Sequence, residues 1–137
     1  MTDKDFRTQK ERIRKLIKKW HKTIGLNWWR IEYVYSRERD GDGPSNYEPD
    51  GNWTTAADCS ADDSYLTASI TFYLPNLVKI EDDELEEIYL HEIMHVFLKP
   101  MQTKEKAAEE ERVATMLARA MVWASEIKKT TSGEVRK

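Results

Sequence analysis

The chain reads as an α+β domain with an N-terminal helix, a small three-stranded and mostly antiparallel sheet, and two further helices. Three observations predict this class. A basic, amphipathic stretch opens the chain. Aromatic and β-branched residues then alternate with polar ones through the middle third, and two breaker-free helical stretches flank Pro100 near the end. At 137 residues the chain fits one domain, 1–137, around a single modest core.

The elements follow in order. Over residues 3–22, Phe6, Ile13, Leu16, Ile17 and Trp20 recur with helical spacing and basic residues fill the other faces, so this stretch predicts an amphipathic helix, with His21 and Gly25 marking its exit. Trp28 to Tyr35 predicts the first strand, in which Arg30 and Glu32 interrupt an apolar run with period two. Glycine and proline crowd residues 37–52, which predicts a flexible loop. Asp40-Gly41-Asp42-Gly43 lacks the later acids of a calcium loop and reads as a turn. Trp53 to Asp58 predicts a second strand, 59–64 a turn, and Tyr65 to Leu74 the clearest strand, since Leu66, Ala68, Ile70, Phe72 and Leu74 alternate with more polar neighbours. Asp83 with Glu86 reads as a capping box opening a helix that stops before Pro100. Thr103 is placed to cap a last helix running to Lys128, with Val113, Met116, Leu117, Ala120, Met121, Ala124 and Ile127 as its packing stripe; 129–137 reads as a frayed tail.

Composition excludes several function classes. No apolar run approaches the ~20 residues of a membrane span, and no apolar stretch near the start suggests a secretory signal. A net charge of −3 gives no global attraction to nucleic acid. Charge is nevertheless uneven: residues 1–22 carry nine Lys/Arg against three acids, whereas 81–92 are acidic and hold no Lys or Arg. Both read as solvated helix faces. The single cysteine, Cys59, rules out an intrachain disulfide and suits the reducing cytoplasm; with no His or Asp beside it, it reads as a structural thiol.

The chemistry concentrates in Ile88-Tyr89-Leu90-His91-Glu92-Ile93-Met94-His95-Val96-Phe97. Within it lies the pattern His-Glu-x-x-His. On a helix, His91 and His95 stand one turn apart, so both imidazoles can close on one metal ion, and Glu92 is placed to serve a metal-activated water as general base. Such a pattern arises by accident in roughly one chain in 150 of this composition. Two of the chain's three histidines fall here, amid Ile88, Leu90, Ile93, Val96, Phe97 and Leu98, where unpaired imidazoles would carry a desolvation cost that a metal removes. His21, alone at a helix end, reads as a surface or capping group.

A catalytic zinc site takes three protein ligands and leaves a position for water. No histidine follows His95 and no aspartate follows Asp83, which leaves a downstream glutamate or His21. At 1.5 Å per residue, a last helix returning antiparallel brings the Glu109-Glu110-Glu111 run level with the histidines, whereas Glu105 comes too early and Glu126 too late. Helical phase favours Glu110, which heads the Val113-Leu117 stripe, over Glu111 and Glu109.

This motif, followed by a glutamate on the next helix, resembles the zincin metallopeptidases in their gluzincin arrangement. The segment from about Ile70 to Ala120 is similar to small predicted metallopeptidases of phages and prophages; the N-terminal half matches only in its order of elements. The resemblance implies a minimal zincin acting on peptides, with Zn2+ on His91, His95 and Glu110 or its neighbour, and Glu92 as base and then acid. It also implies an edge strand beside the cleft, expected at Tyr65 to Leu74, to which an extended peptide pairs. The oxyanion histidine of larger gluzincins has no counterpart, which leaves Tyr65, Tyr73 or Tyr89 for that work. The rival reading is a catalytically weak or inactive zinc-binding regulatory protein of phage origin that acts by protein contact.

Overall fold

The computed structural model describes residues 1–24, 26–38, 55–101 and 107–135. Three long helices and a three-stranded mixed sheet make up the α+β architecture. Helix α1 spans Asp3–Ile24, strands β1, β2 and β3 span Arg30–Ser36, Ala57–Asp62 and Thr67–Tyr73, and helices α2 and α3 span Asp82–Leu98 and Ala107–Val135. Short 3-10 turns, Leu74–Leu77 and Lys99–Met101, bracket α2. Among the described residues no helix is long and apolar enough to cross a membrane.

The strand order is β1-β3-β2, with β1 parallel to β3 and β2 antiparallel to it. The resemblance implied an edge position for the Tyr65–Leu74 strand; instead β3 is central and β2 is an edge of the sheet. Side chains explain the exchange. Ala68, Ile70 and Phe72 of β3 are all buried, and a strand with a large apolar face gains most from neighbours on both sides. Strand β2 turns only Ala57, Cys59 and Ala61 inward and Asp58, Ser60 and Asp62 outward, a small-and-polar pattern suited to an edge.

The second strand also lies further along the chain than expected. Residues 59–62, read as a turn, continue β2, and the turn occupies 63–66, where Leu66 takes a positive φ of 55°. The antiparallel ladder runs on until Asp62 meets Thr67, so the reversal falls beyond Asp62. Most of the predicted flexible loop, the Asp40-Gly41-Asp42-Gly43 turn, Gly25 and the Thr103 cap lie outside the described residues.

Helix α1 docks through Ile13 and Trp20, both buried. Its polar anchor is Arg12, whose guanidinium donates to the carbonyls of Leu77 (3.1 Å) and Ile80 (2.5 Å) and to Asp82 (2.9 Å). Lys19 and the Trp20 indole N–H both donate to Glu86, at 2.7 and 3.0 Å, which ties α1 to the flank of α2.

Helix α2 is central. Leu85, Tyr89, Leu90, Ile93, Met94 and Val96 are buried, so the helix is covered on several sides. It begins at Asp82 with Glu81 as N-cap and no side-chain cap bond, not with the Asp83 box; Asp83 instead accepts from the amide of Glu84 at 2.9 Å. Helix α3 extends to Val135, beyond the expected Lys128 and through much of the expected frayed tail. Its buried face also differs from the predicted stripe. Ala114 and Ala118 are buried to 0% exposure, whereas Val113, Met116, Leu117 and Ile127 are exposed. Alanines let α3 approach α2 closely, and this sets the register of the site.

Candidate metal centre

Helix α2 carries both histidines on the side that faces α3. One turn apart, they turn their Nε2 atoms toward each other at 3.1 Å. The carboxylate of Glu111, arriving from the first turns of α3, spans the pair: one oxygen lies 3.0 Å from His91 Nε2 and the other 3.0 Å from His95 Nε2. His91, His95 and Glu111 thus form a group whose ligand atoms fall within 4.8 Å of one another.

Glu110 stands elsewhere. Its carboxylate, 9% exposed, lies 3.2 Å from Nδ1 of His95, the ring nitrogen that faces away from the cluster. Thr115 Oγ1 holds the equivalent position on the other ring, 3.2 Å from Nδ1 of His91. Each imidazole therefore has an oxygen partner behind it and its Nε2 in front, the arrangement by which outer groups fix a metal-binding tautomer.

The donor set fits a zinc ion. Nitrogens and oxygens at ~2.0–2.1 Å from a tetrahedral ion stand slightly more than 3 Å apart, close to the 3.0–3.1 Å separations of the Nε2 pair and the Glu111 oxygens. Charge fits as well. Glu92, Glu110 and Glu111 crowd two imidazoles, and in the metal-free protein a proton on His95 offsets part of that negative charge. Burial alone would lower the His95 pKa, but the carboxylates of Glu111 and Glu110 outweigh it and bring it up to about 9. The same contacts, with His91 and His95 both bonded to it, hold Glu111 well below the usual carboxylate range.

Glu92 is buried, at 7% exposure, and lines the same cleft as His91 and Glu111. Burial is the main cause that lifts its pKa to about 7; the two histidines pull it down, and Glu111 and Asp58 push it up. A carboxylate poised near neutrality suits proton transfer in either direction.

The cleft holds about 560 Å3. Ala56 and Ala57 of the β2 segment form one wall, Glu84, Glu87 and Ile88 of α2 continue it, and Thr115, Ala118 and Arg119 of α3 close the far side. Arg119 donates to Glu87 at 2.5 Å across the two helices. Sequence reasoning missed Thr115 and Arg119. Their signal is helical spacing, since both lie four or eight residues after Glu111 and so share its side of α3.

None of the three tyrosines considered for an oxyanion role is among the residues lining the cleft. Tyr89 is fully buried with its hydroxyl 3.5 Å from that of Tyr33, Tyr73 donates to Asp58 at 2.5 Å, and Tyr65 is 78% exposed. Cys59, facing inward from β2, is a half-buried thiol that burial, with Glu92 and Asp58 near it, pushes up to about 12. His21, the remaining histidine, lies at the end of α1 outside the cluster. No family model, curated protein or solved structure matches the chain.

Proposed function

We propose that the protein is a zinc-dependent metallopeptidase. The observation that carries this reading is the convergence of His91 Nε2, His95 Nε2 and the Glu111 carboxylate at the wall of a cleft that Glu92 also lines. In this reading His91, His95 and Glu111 bind the ion, and Glu110 and Thr115 hold the two rings from behind.

A bound zinc ion supplies Lewis acidity, which activates a water and polarises a carbonyl. Glu92 accepts the proton of the attacking water at its carboxylate and later returns it to the departing amine. Its burial matters here, because a fully solvated glutamate would be too weak a base near neutral pH. An extended peptide pairs with the edge of β2, which brings its backbone past Ala56 and Ala57 to the histidines. Arg119, anchored on Glu87, places a cation at the far side of the cleft. We place the protein in the cytoplasm, where Cys59 stays reduced.

The test is a pair of variants assayed against a peptide library. Glu92→Gln is expected to keep one zinc per chain and to lose cleavage by at least ~10²-fold, as removal of a general base does; His95→Ala is expected to lose both. Cleavage by Glu92→Gln at the wild-type rate would sink the assignment.

A further inference from the structure

The apolar stripe of α3 stands largely in solvent. Val113, Met116, Leu117, Trp123 and Ile127 are 38%, 65%, 40%, 66% and 44% exposed, and Ala120 and Ala124 between them are exposed as well. With ~100° of turn per residue, these positions fall on the side of the helix away from Ala114 and Ala118, which pack inward. Helix α3 is thus apolar on two faces: Ala114, Ala118, Met121 and Val122 pack toward the core, and the opposite stripe stands in solvent. At 29 residues it also outruns the 17-residue α2 against which it packs.

We propose that this face is a dimer seam, on which α3 of a second copy of the chain lies antiparallel. Periodicity identifies the occupant as a helix. Val113, Ala120 and Ile127 recur every seven residues, with Met116 and Trp123 between them in the a and d positions of a heptad, a spacing that interlocks with another helix of the same repeat. The area is in the right range too. The exposed stripe amounts to on the order of 500 Å2, at the upper end of what a monomer leaves in water and a large part of the ~800 Å2 per partner that a stable interface buries.

Charge and size select the antiparallel direction. In that alignment Val113 packs against the partner's Trp123 and Met116 against the partner's Ala120, so that each of these central layers sets a larger side chain on a smaller one, while Ile127 falls beside the partner's Glu109 at the two ends of the seam. Arg112, which has no ion pair among the described residues, then flanks the seam opposite the partner's Glu126, and two-fold symmetry makes the contact twice. Arg119 meets the partner's Arg119, and each is already engaged by the Glu87 of its own chain. A parallel pair would set Arg112 and Arg119 against the partner's Leu117 and the partner's Ala124, with no opposite charge. The proposal does not depend on the metal reading.

Sedimentation equilibrium of the full zinc-supplied chain, from low to high micromolar concentration, tests it. Wild type is expected at twice the 16.2 kDa chain mass. Met116→Glu with Trp123→Glu, both exposed and so tolerable to the fold, is expected to sediment as a single chain with unchanged circular dichroism. Arg112→Glu is expected to weaken the dimer roughly tenfold or more, and adding Glu126→Arg to restore it. A wild-type monomer at every concentration, or a dimer that survives the double glutamate variant, would overturn the proposal. Dissociation by the glutamates without any response to the Arg112/Glu126 exchange would overturn the antiparallel direction.

Discussion

Glu110 and Glu111 are neighbours in sequence, yet they meet opposite sides of the same imidazole. Glu111 faces both Nε2 atoms, while Glu110 touches Nδ1 of His95 from a buried position. Their neutral variants should therefore differ in degree. Under the proposed function Glu111→Gln removes one of the three ligands and is expected to weaken zinc binding by more than ~10²-fold, whereas Glu110→Gln and Thr115→Val act through the rings and should cost ~10-fold to 10²-fold. Competition with a chromogenic chelator ranks the three, and equal losses would show that the two glutamates are interchangeable. The pH response follows from His95. Its pKa is raised in the metal-free fold from 6.5 to about 9, so its contribution to stability is complete below 6.5 and disappears as pH rises through 9. Glu92, raised from 4.5 to about 7, also favours the protonated fold and loses its share over that lower interval. Thermal midpoints of metal-free protein should accordingly fall between pH 6.5 and 9, and His95→Gln should flatten that slope. Zinc bound as proposed would displace the His95 proton, so apparent affinity should climb over the same interval, with proton release visible by calorimetry in buffers of different ionisation heat.

At the scale of elements, α1 is held by one polar residue as much as by its apolar face. Arg12→Ala leaves the carbonyls of Leu77 and Ile80 without their donor, and should cost about 2 kcal/mol of stability in urea unfolding. A loss below about 0.5 kcal/mol would show that water replaces the guanidinium freely. In the β2-β3 turn, Leu66 sits in the left-handed region, where a side chain with a Cβ is strained by about 1 kcal/mol. Leu66→Gly should raise or hold the thermal midpoint, although a clear fall would show that the half-exposed side chain contributes more than its backbone costs. These elements also show what the sequence made legible. Helix α1, strands β1 and β3 and the motif helix stand close to where periodicity puts them, because each buries large apolar residues at regular spacing. Strand β2 shifted because Ala57, Cys59 and Ala61 give only a faint alternation. Helix α3 misled in a more instructive way. Its large side chains suggested the packed face, and Met121 of that stripe does pack against the core, but Val113, Met116, Leu117 and Ile127 stand exposed while Ala114 and Ala118 are fully buried, and this phase turns Glu111 toward the histidines. Phase read from the heaviest residues finds an apolar face, which need not be the face turned to the core of the same chain.

The whole molecule places a motif helix between an edge strand and a helix that supplies the opposing carboxylate. The site therefore joins α2 to α3, two helices that pack against each other but are separate elements of the chain. Binding an ion there should couple to global stability, so that chelation lowers the thermal midpoint and added zinc restores it. Everything functional in this account rests on His91, His95 and Glu111 sharing one ion. The most direct measurement is the zinc content of purified protein by elemental mass spectrometry, after metal exchange and dialysis, for wild type beside Glu111→Gln and His95→Ala. One zinc per chain in wild type, lost from both variants while they remain folded, is the predicted result. A folded wild-type protein that carries no zinc and takes up none when it is supplied would contradict the account and return the two histidines to ordinary helix packing.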